Sequence, residues 1–251
     1  MSEILEKKID LTVDWLRKMV DESKTKGLLV GISGGIDSAL VTFLIKRAFP
    51  QQSLGVIMPC KSNPKDQEDA LKVAEACGIE RIILELSDVH DTLINRVTEH
   101  MENAGLTGSD HNRRLSDANL RARLRMSTLY SVANALNYLV VGTDNAAEVY
   151  TGYFTKYGDG GVDILPIANL KKREVYEWAR YLGVPQSVLD RPPSAGLWEG
   201  QTDEDEMGTT YDMVDDLLAG KDIPERDRKI IERLHQVSAH KRIMPPAPPI
   251  F

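Results

Sequence analysis

The residues best suited to chemistry form one short segment, residues 31–38, which reads Gly-Ile-Ser-Gly-Gly-Ile-Asp-Ser. The apolar residues 28–30 precede it and a helix-compatible apolar run follows it, so we predict a turn from a buried strand into a helix. Glycine lets a ligand approach the backbone, and free N–H groups at a helix start favour a bound anion. Ser33 and Ser38 add hydroxyl donors, and the Asp37 carboxylate can hold a hard cation against phosphate oxygens.

The segment differs from the phosphate loop of common ATPases, which requires Gly-Lys followed by Ser or Thr, because it contains no lysine. Ser-Gly-Gly-x-Asp-Ser resembles instead the pyrophosphate loop of enzymes that split ATP between its α and β phosphates. An ordinary Gly-Gly turn with a helix-capping residue is the plainer alternative, but six matching residues in order favour the loop. The predicted ATP contacts of this segment are Gly31, Ile32, Ser33, Gly34, Gly35, Ile36, Asp37 and Ser38.

Composition indicates a globular enzyme of the reducing cytoplasm. The 251 residues are 42% hydrophobic and 27% charged, which suits one α/β domain spanning residues 1–251 without a separate glutamine amidase domain. The formal net charge of −7 argues against a nucleic-acid partner. No apolar stretch approaches the roughly 20 residues that span a bilayer, so we expect no membrane partner. The two cysteines, Cys60 and Cys77, are too few for a disulfide framework.

Hydrophobic periodicity predicts alternating helices and strands. The predicted helices cover residues 3–24, the segment from Asp37 to near Pro50, and residues 65–77, 88–101 and 116–136; the strands cover residues 28–32, 54–58, 81–86 and 138–141. We expect loops at residues 103–114 and in the acidic run 199–206, and an extended tail at residues 245–249.

Strands without polar alternation, separated by helices, predict a doubly wound parallel α/β sheet with helices on both faces, of the Rossmann-like and adenine nucleotide α-hydrolase-like type. Ligands of such sheets bind beyond the carboxyl ends of the strands. The pyrophosphate loop follows one strand, and Thr143 and Asp144 follow another. Polar residues at two strand ends therefore predict one shared site.

A second region, residues 141–166, resembles the NAD synthetase family. It contains Gly-Thr-x-x-x-x-Glu, ending at Glu148, and then Gly-Tyr-Phe-Thr-Lys-Tyr-Gly-Asp-Gly, which begins at Gly152. The likeness extends to Asn-Leu-Arg-Ala-Arg at 119–123, Pro-Ser-Ala-Gly-Leu-Trp at 193–198, Gln-Thr-Asp-Glu at 201–204, and His-Lys at 240–241. It covers nearly the whole chain, whereas other pyrophosphate-loop enzymes share only the first motif.

The resemblance implies a two-step ligase reaction that forms a C–N bond. The nicotinate carboxylate of deamido-NAD would attack the α phosphate of ATP, which releases pyrophosphate and leaves an acyl adenylate. Ammonia would then displace AMP and give NAD. Mg²⁺ is the implied cofactor and ATP the co-substrate. A homodimer with deamido-NAD bound across its interface is also implied, and the helix at residues 116–136 is the candidate for that interface.

The resemblance also assigns site residues. It implies that Asp37 and Glu148 bind Mg²⁺, and that Thr143, Lys172 and Ser194 contact ATP. The implied contacts to deamido-NAD are Arg123, Lys156, Asp163, His240 and Lys241.

Two of these residues have plainer interpretations when the motif is set aside. Glu148 fits an exposed helix carboxylate, and Lys172 fits a solvated lysine at a helix start. A lysine there opposes the helix dipole, so a bound anion would relieve a small local conflict. Tyr153 and Phe154 suit either stacking on the nicotinate ring or packing in the core.

Three arginines on one predicted helix, Arg121, Arg123 and Arg125, cannot all reach one ligand. Arg121 and Arg125 share a face at i and i+4, while Arg123 projects to nearly the opposite side. The resemblance selects Arg123, and the other two fit ion pairs or a subunit contact. We also expect the Pro- and Gly-rich residues 190–204, with Leu197 and Trp198, to form a lid over bound substrate.

Other functions remain as alternatives at this stage. A GMP synthetase-like or tRNA-modifying adenylating enzyme would share the pyrophosphate loop. A nucleotide-binding sensor without catalysis, or a structural protein, would not require Asp37, Glu148 and Lys172 together. Because the sequence contains no recognisable amidase part, free ammonia is the predicted nitrogen donor, although a separate glutaminase subunit is compatible with the sequence.

Overall fold

A parallel β-sheet forms the centre of the fold. In the computed structural model, which describes residues 2–193 and 202–250, the sheet has the order β3-β2-β1-β4. Its strands are β1 (Gly27–Gly31), β2 (Ser53–Ile57), β3 (Glu80–Ile83) and β4 (Tyr138–Val141), and each neighbouring pair is parallel. The chain proceeds outward from β1 to β3 and then crosses to the other side of β1 for β4. The carboxyl ends of β1 and β4 therefore flank the point where the strand order reverses, which is where such sheets bind ligands.

Helices connect and surround these strands. They are α1 (Ser2–Ser23), α2 (Ile36–Ala48), α3 (Pro64–Cys77), α4 (Ser87–Asn103), α5 (Asp110–Leu136), α6 (Ala146–Thr151), α7 (Lys172–Leu182), α8 (Gln186–Leu189), α9 (Asp203–Met207), α10 (Tyr211–Leu218) and α11 (Glu225–Val237), followed by a 3₁₀ turn at Ala239–Lys241. None of the helices within the described ranges is long and apolar enough to cross a membrane.

The two faces of the sheet carry separate hydrophobic cores. Leu28 and Val30 of β1 pack with α1, α2, α3 and α7, whereas Leu29 packs on the opposite face with residues of α5. Successive side chains of a strand point to opposite faces, so a strand covered on both sides needs apolar residues at every position. The structure thus confirms the predicted parallel sheet with helices on both faces.

Two segments predicted as loops are partly helical. Residues 103–114 were expected to be irregular, but α5 begins at Asp110, where the Ser109 hydroxyl accepts a hydrogen bond from the Asn112 N–H at 3.2 Å. Likewise, Thr202 caps α9 by accepting from the Asp205 N–H at 3.2 Å, so the acidic run continues as a helix. Both predictions were wrong over these residues because the polar side chains belong to the first turns of capped helices. Residues 199–201 of the acidic run lie outside the described residues, and residues 245–249 form the expected exposed tail without regular structure.

The turn between β1 and α2 depends on Gly34. This residue has a φ of +85°, and a Cβ atom added to it would lie 2.4 Å from the Asp66 carbonyl oxygen of α3. Both the left-handed backbone and the close approach of α3 exclude a side chain here. The loop that carries the candidate phosphate site is therefore fixed against α3 as well as by its own strand and helix.

We expect Gly34→Ala to lower the free energy of unfolding by about 2–4 kcal/mol, because it combines a strained φ with a backbone clash. Gly105→Ala is the matched control, since Gly105 also has a positive φ, +71°, but no atom lies within 4 Å of an added Cβ. The control should cost only about 1 kcal/mol. Urea denaturation of both variants measures the difference, and equal losses would show that the contact with Asp66 contributes nothing.

Candidate active site

A cavity of about 540 Å³ lies at the carboxyl ends of β1, β2 and β4. Its volume is typical of small-molecule sites. The wall includes the predicted pyrophosphate loop, the ends of β2 and β4, one face of α5, and residues 152–161. The two strand ends that the sequence marked with polar residues therefore meet at one cavity, and Thr143, the predicted ATP contact, lies on its wall.

The two serines of the pyrophosphate loop have different positions. Ser38 is buried; its hydroxyl donates to the Gly35 carbonyl at 3.0 Å and accepts from the Ser33 N–H at 3.2 Å. Ser33 is exposed, and its hydroxyl accepts from the Gly35 N–H at 3.2 Å. No described side chain caps the N-terminus of α2 at Gly35. Ser38 thus shapes the loop, while the first N–H groups of α2 stay available to an anion.

Lys172 lies between the two predicted metal ligands. Its side chain is only 4% exposed, and its Nζ atom lies 2.5 Å from Asp37 Oδ2 and 3.5 Å from Glu148 Oε1. The ammonium also lies over the Tyr211 ring, 4.4 Å from its centroid. Burial acts to lower the pKa of Lys172, but the attraction of Asp37 and Glu148 outweighs it and raises the pKa above its ordinary value. Lys172 is therefore a buried, charged lysine, and the interpretation as a solvated residue is wrong.

Asn145 holds both carboxylates in place. Its side-chain amide donates to Asp37 Oδ1 at 2.9 Å, and its backbone N–H donates to Glu148 Oε2 at 3.0 Å. The amide oxygen of the same residue accepts from the N–H groups of Ala147 and Glu148 and completes a capping box at the start of α6. Sequence reasoning did not select Asn145, although an asparagine three residues before a glutamate is the usual signal of this cap.

Tyr211 and Asp203 complete the cluster from the other side. The Tyr211 hydroxyl lies 3.0 Å from Glu148 Oε1 and 2.9 Å from Asp203 Oδ2. Burial, with the charge of Asp37 as the next contribution, raises the pKa of Glu148 to about 7. Tyr211 carries no local sequence signal for this role, because its contact with Glu148 joins residues 63 positions apart. Asp203 belongs to the Gln-Thr-Asp-Glu motif, but the sequence assigned it no role.

Asp144 is a further buried carboxyl group that sequence reasoning had not assigned to a ligand. It lies on the cavity wall with 5% of its surface exposed. Burial, followed by the charges of Asp159, Glu148 and Asp37, raises the pKa of Asp144 well above its ordinary range. The strand end after β4 therefore adds to an already acidic site.

The wall of the cavity is acidic overall. Among the described residues, seven carboxyl side chains line it against four cationic ones: Asp37, Asp66, Asp144, Glu148, Asp159, Asp203 and Glu206 against Arg125, Lys172, Arg191 and Lys241. A triphosphate would be repelled by this surface unless a cation accompanied it.

Asp37 and Glu148 fit such a cation, because each directs one hard oxygen toward the same positively charged group, the Lys172 ammonium. The described residues contain no cluster of three or more His, Cys, Asp or Glu side chains that could hold a metal ion by themselves. The two carboxylates of Asp37 and Glu148 nevertheless suit Mg²⁺, which commonly binds through one or two carboxylates together with substrate phosphates.

The start of α7 shows how the helix-dipole conflict at Lys172 is resolved. Asp215 of α10 is fully buried, and its carboxylate accepts from the backbone N–H groups of Lys172 at 3.0 Å and Arg173 at 2.9 Å. The negative charge that the helix start requires therefore comes from the protein itself. The sequence could not identify this partner, which lies 43 residues away.

Four of the five predicted deamido-NAD contacts are linked beside the cavity. Lys241 lies on its wall, and its Nζ atom donates to the carbonyl of Phe154 at 2.6 Å. The Lys156 Nζ atom donates to the His240 carbonyl at 2.5 Å, and Arg123 donates to the Lys156 carbonyl at 3.4 Å. Of these, Arg123, Lys156 and His240 are not on the cavity wall itself.

Asp163, the fifth, has a different environment. Its carboxylate accepts from the Val140 N–H of β4 at 2.7 Å and from the Tyr130 hydroxyl of α5 at 2.9 Å. It therefore ties the segment after the cavity to the sheet edge. Ser194 lies outside the described residues, as do Leu197 and Trp198 of the predicted lid, so their positions stay predictions.

The structure also places four side chains whose roles the sequence left open. Tyr153 and Phe154 both line the cavity, and the Tyr153 hydroxyl donates to Glu206. Arg121 forms the expected ion pair, with Asp117. Arg125 does not: it lies on the cavity wall and donates to neutral oxygens.

Comparison with known proteins connects this geometry to one family. The sequence model of NAD synthase matches residues 8–245. The chain belongs to the NAD synthase family. It is 64% identical over 250 residues to the NH(3)-dependent NAD(+) synthetase of Alkaliphilus oremlandii, and the match covers 100% of both chains. This result confirms the resemblance found in the motifs and favours it over a GMP synthetase-like enzyme.

Solved structures of the family have the same fold. The NMN synthetase of Francisella tularensis superposes with a TM-score of 0.90 at 38% identity, covering 98% of this chain and 99% of that one. The NH3-dependent NAD synthetase of Campylobacter jejuni, solved with a nitrate ion, gives a TM-score of 0.77 at 30% identity, with coverage of 98% and 99%.

The raised pKa of Glu148 leads to a prediction about stability. Because folding raises this pKa from 4.5 to about 7, the protonated form is favoured by folding. Its contribution to stability is present below pH 4.5 and is lost as the pH rises through about 7. Between pH 5 and pH 8 the unsubstituted protein should therefore lose more stability than Glu148→Gln, which lacks the titrating group. We expect the difference in the free energy of unfolding, variant minus unsubstituted protein, to increase by on the order of 1–3 kcal/mol over this range.

Urea denaturation in metal-free buffer at both pH values measures this gain. Glu99→Gln, at an exposed position of α4, is the matched control and should follow the unsubstituted protein at both pH values. Parallel pH profiles for the Glu148 variant and the unsubstituted protein would contradict the prediction.

Proposed function

We propose that the chain is an ammonia-dependent NAD synthetase, which uses ATP to amidate deamido-NAD and produces NAD, AMP and pyrophosphate. One observation supports this most strongly: the Asp37–Lys172–Glu148 cluster lies beside the uncapped N-terminus of α2. Lys172 and free helix N–H groups can bind a departing pyrophosphate, and two hard carboxylates can hold its cation. A protein that merely binds a nucleotide does not need this combination.

The chemistry has two balanced steps. An oxygen of the nicotinate carboxylate attacks the α phosphorus of ATP, and the bond from that phosphorus to the β-phosphate oxygen breaks. The nitrogen of ammonia then attacks the acyl carbon, and the bond from carbon to the AMP oxygen breaks while the nitrogen loses a proton. Both steps place negative charge on phosphate oxygens, so fixed donors aimed at those oxygens lower the barrier.

The residues of this chain have distinct roles in the proposal. The loop N–H groups, Ser33 and Lys172 bind the pyrophosphate that leaves. Asp37 and Glu148 hold Mg²⁺, which when bound neutralises phosphate oxygens. Asn145 and Tyr211 keep these carboxylates oriented through the hydrogen bonds described above. Thr143 on the cavity wall, and Ser194, complete the proposed ATP contacts.

The dinucleotide acid is proposed to occupy the side of the cavity formed by Lys241 and Phe154. Lys241 is partly buried there, and its ammonium lies 5.3 Å from the Phe154 ring centroid. Arg123, Lys156 and His240 extend this surface away from the cavity, which suits the more distant part of a long substrate. Asp163 supports the same segment from the sheet edge.

A smaller acid is a second candidate substrate. The similarity to the NMN synthetase of Francisella tularensis, with its TM-score of 0.90, favours testing the deamidated form of NMN beside deamido-NAD. The chemistry at the carboxylate would be the same for both acids. The two candidates differ only in whether the surface beyond Lys241 is used.

Product analysis with ATP, Mg²⁺ and ammonium tests both candidates. We expect AMP and pyrophosphate, not ADP, in amounts equal to the amide formed, and higher kcat/KM with deamido-NAD than with the mononucleotide acid. Glutamine should not replace ammonium for the purified chain. AMP formation without either acid, or ADP as the product, would exclude the proposal.

Asp37→Ala in the same assay should lose at least about 100-fold in kcat, because Asp37 orients Lys172 and supplies a metal ligand. Asp14→Ala, which removes an exposed carboxylate of α1, is the control and should retain full activity.

We further propose that the chain forms a homodimer in the cytoplasm. Helix α4 carries a stripe of exposed apolar side chains, formed by Val89, Leu93, Val97 and Met101. It packs next to α5, the helix that the sequence had indicated as the interface. Four such residues at helical spacing on one exposed face suit a self-complementary contact.

We expect Leu93→Arg to convert a dimer into a monomer, because it places a charge in the middle of this stripe. Sedimentation velocity measures the change. Leu11→Arg, at an exposed leucine of α1, is the control and should leave the oligomeric state unchanged. A monomeric unsubstituted protein, or a dimer that tolerates Leu93→Arg, would contradict the assignment of this interface.

A further inference from the structure

Arg125 is a cation on the cavity wall that pairs with no carboxylate in the part of the chain that the structure describes. Its Nε atom donates to the Met58 carbonyl at 3.1 Å, and one Nη atom donates to Ser62 Oγ at 3.0 Å. Both acceptors are neutral, and no carboxylate among the described residues forms a salt bridge with it. Burial lowers the pKa of Arg125, although a guanidinium keeps its charge in proteins. The site thus contains a positive charge held partly away from water and not neutralised by contact.

Lys172 and Arg191 differ in this respect, whereas the Lys241 ammonium also donates to neutral oxygens, the carbonyls of Gly152 and Phe154. Lys172 contacts Asp37 and Glu148, as described above, and Arg191 pairs with Asp66. A buried charge normally requires a counter-charge, and a charge that lacks one in the free protein is expected to find it in a ligand. Arg125 is therefore well placed to receive an anionic group from the substrate.

The position of Arg125 indicates which anion it receives. It lies on α5, on the opposite face of the sheet from α2 and α7, which carry the proposed pyrophosphate site. An added Cβ at Gly31, the last residue of β1, would lie 3.5 Å from Leu129, one turn along α5 from Arg125. The pyrophosphate loop begins at this point, so Lys172 and Arg125 flank it from the two faces of the sheet.

We propose that Arg125 binds the phosphate that remains with the adenosine, the α phosphate of ATP that becomes the phosphate of AMP. The inference rests on the proposed function, in which the β and γ phosphates occupy the loop and Lys172. The next phosphate in the chain then extends toward α5. The free Nη atom of Arg125, which donates to no described residue, supplies the hydrogen bond.

Arg125 would act in both steps of the reaction. During attack on the α phosphorus, it stabilises the charge on the non-bridging oxygens. When the acyl carbon–oxygen bond breaks, the electron pair moves to the AMP oxygen, and the same guanidinium binds the additional negative charge. Because it touches the reacting phosphate, Arg125 is a catalytic residue, unlike Arg123 on the other side of the helix.

Binding of the two products separately tests this assignment. Equilibrium dialysis with labelled AMP and with labelled pyrophosphate, both with Mg²⁺, is carried out on Arg125→Gln and Arg125→Lys. We expect the dissociation constant of AMP to rise at least about 10-fold in Arg125→Gln and less in Arg125→Lys, which keeps the charge but not the planar fork. That of pyrophosphate should stay within about twofold in both variants.

Arg114→Gln, at an exposed arginine near the start of α5, is the matched control and should change neither constant. Unchanged AMP binding in both Arg125 variants would overturn the proposal. So would an equal loss of AMP and pyrophosphate binding, with or without a lower melting temperature, because it would give Arg125 a structural role only. Failure of the unsubstituted protein to make the amide would reject the proposed function instead, since product binding is measured without turnover.

Discussion

The site depends on one buried interaction, the contact of the Lys172 ammonium with Asp37 and Glu148. A charge removed from water is costly unless it is paired and hydrogen-bonded. Here the ion pairs join the first turns of α2 and α7 to α6. The three helices can therefore pack together only in the arrangement that brings these charged groups into contact. Asn145, Tyr211 and Asp215 satisfy the remaining polar atoms around it. Such a cluster specifies geometry more than it adds stability, which is what a site for a highly charged nucleotide requires.

The same physical constraint explains why the cavity is acidic. Two carboxylates already compete for one lysine, and burial first, followed by the charges of neighbouring carboxylates, raises the pKa values of Glu148 and Asp144. In the proposed function, the acidic wall makes a cation that accompanies ATP favourable, so metal and nucleotide binding are expected to be coupled. On the opposite face of the sheet, Arg125 has the reverse condition, because it is a cation that forms no ion pair with a described carboxylate. Lys172 and Arg125 thus lie on opposite faces of the sheet, which matches the order of the phosphates that they are proposed to bind.

Much of the fold was predictable because it follows from local rules. Apolar residues at every position of residues 28–30 indicate a strand covered on both faces, and the helix periods on either side imply a parallel sheet. The errors occurred where polarity was taken for irregular structure. At Ser109 and Thr202 a hydroxyl cap starts a helix whose first turn consists of polar residues, so hydrophobic periodicity gives no signal there.

The sequence by itself determined the strand-to-helix turn at residues 31–38, the order of strands and helices as far as β4, and the family motifs, since each depends on residues close together or on fixed spacing. The tertiary structure decided which side chains meet. Lys172 reaches Asp37 across 135 residues, and Asp215 replaces the anion that the helix start seemed to need. Arg121 and Arg125 share one helical face, yet one pairs with an acid and the other faces the cavity. That difference arises from how α5 packs across the strand ends, and no local pattern encodes it.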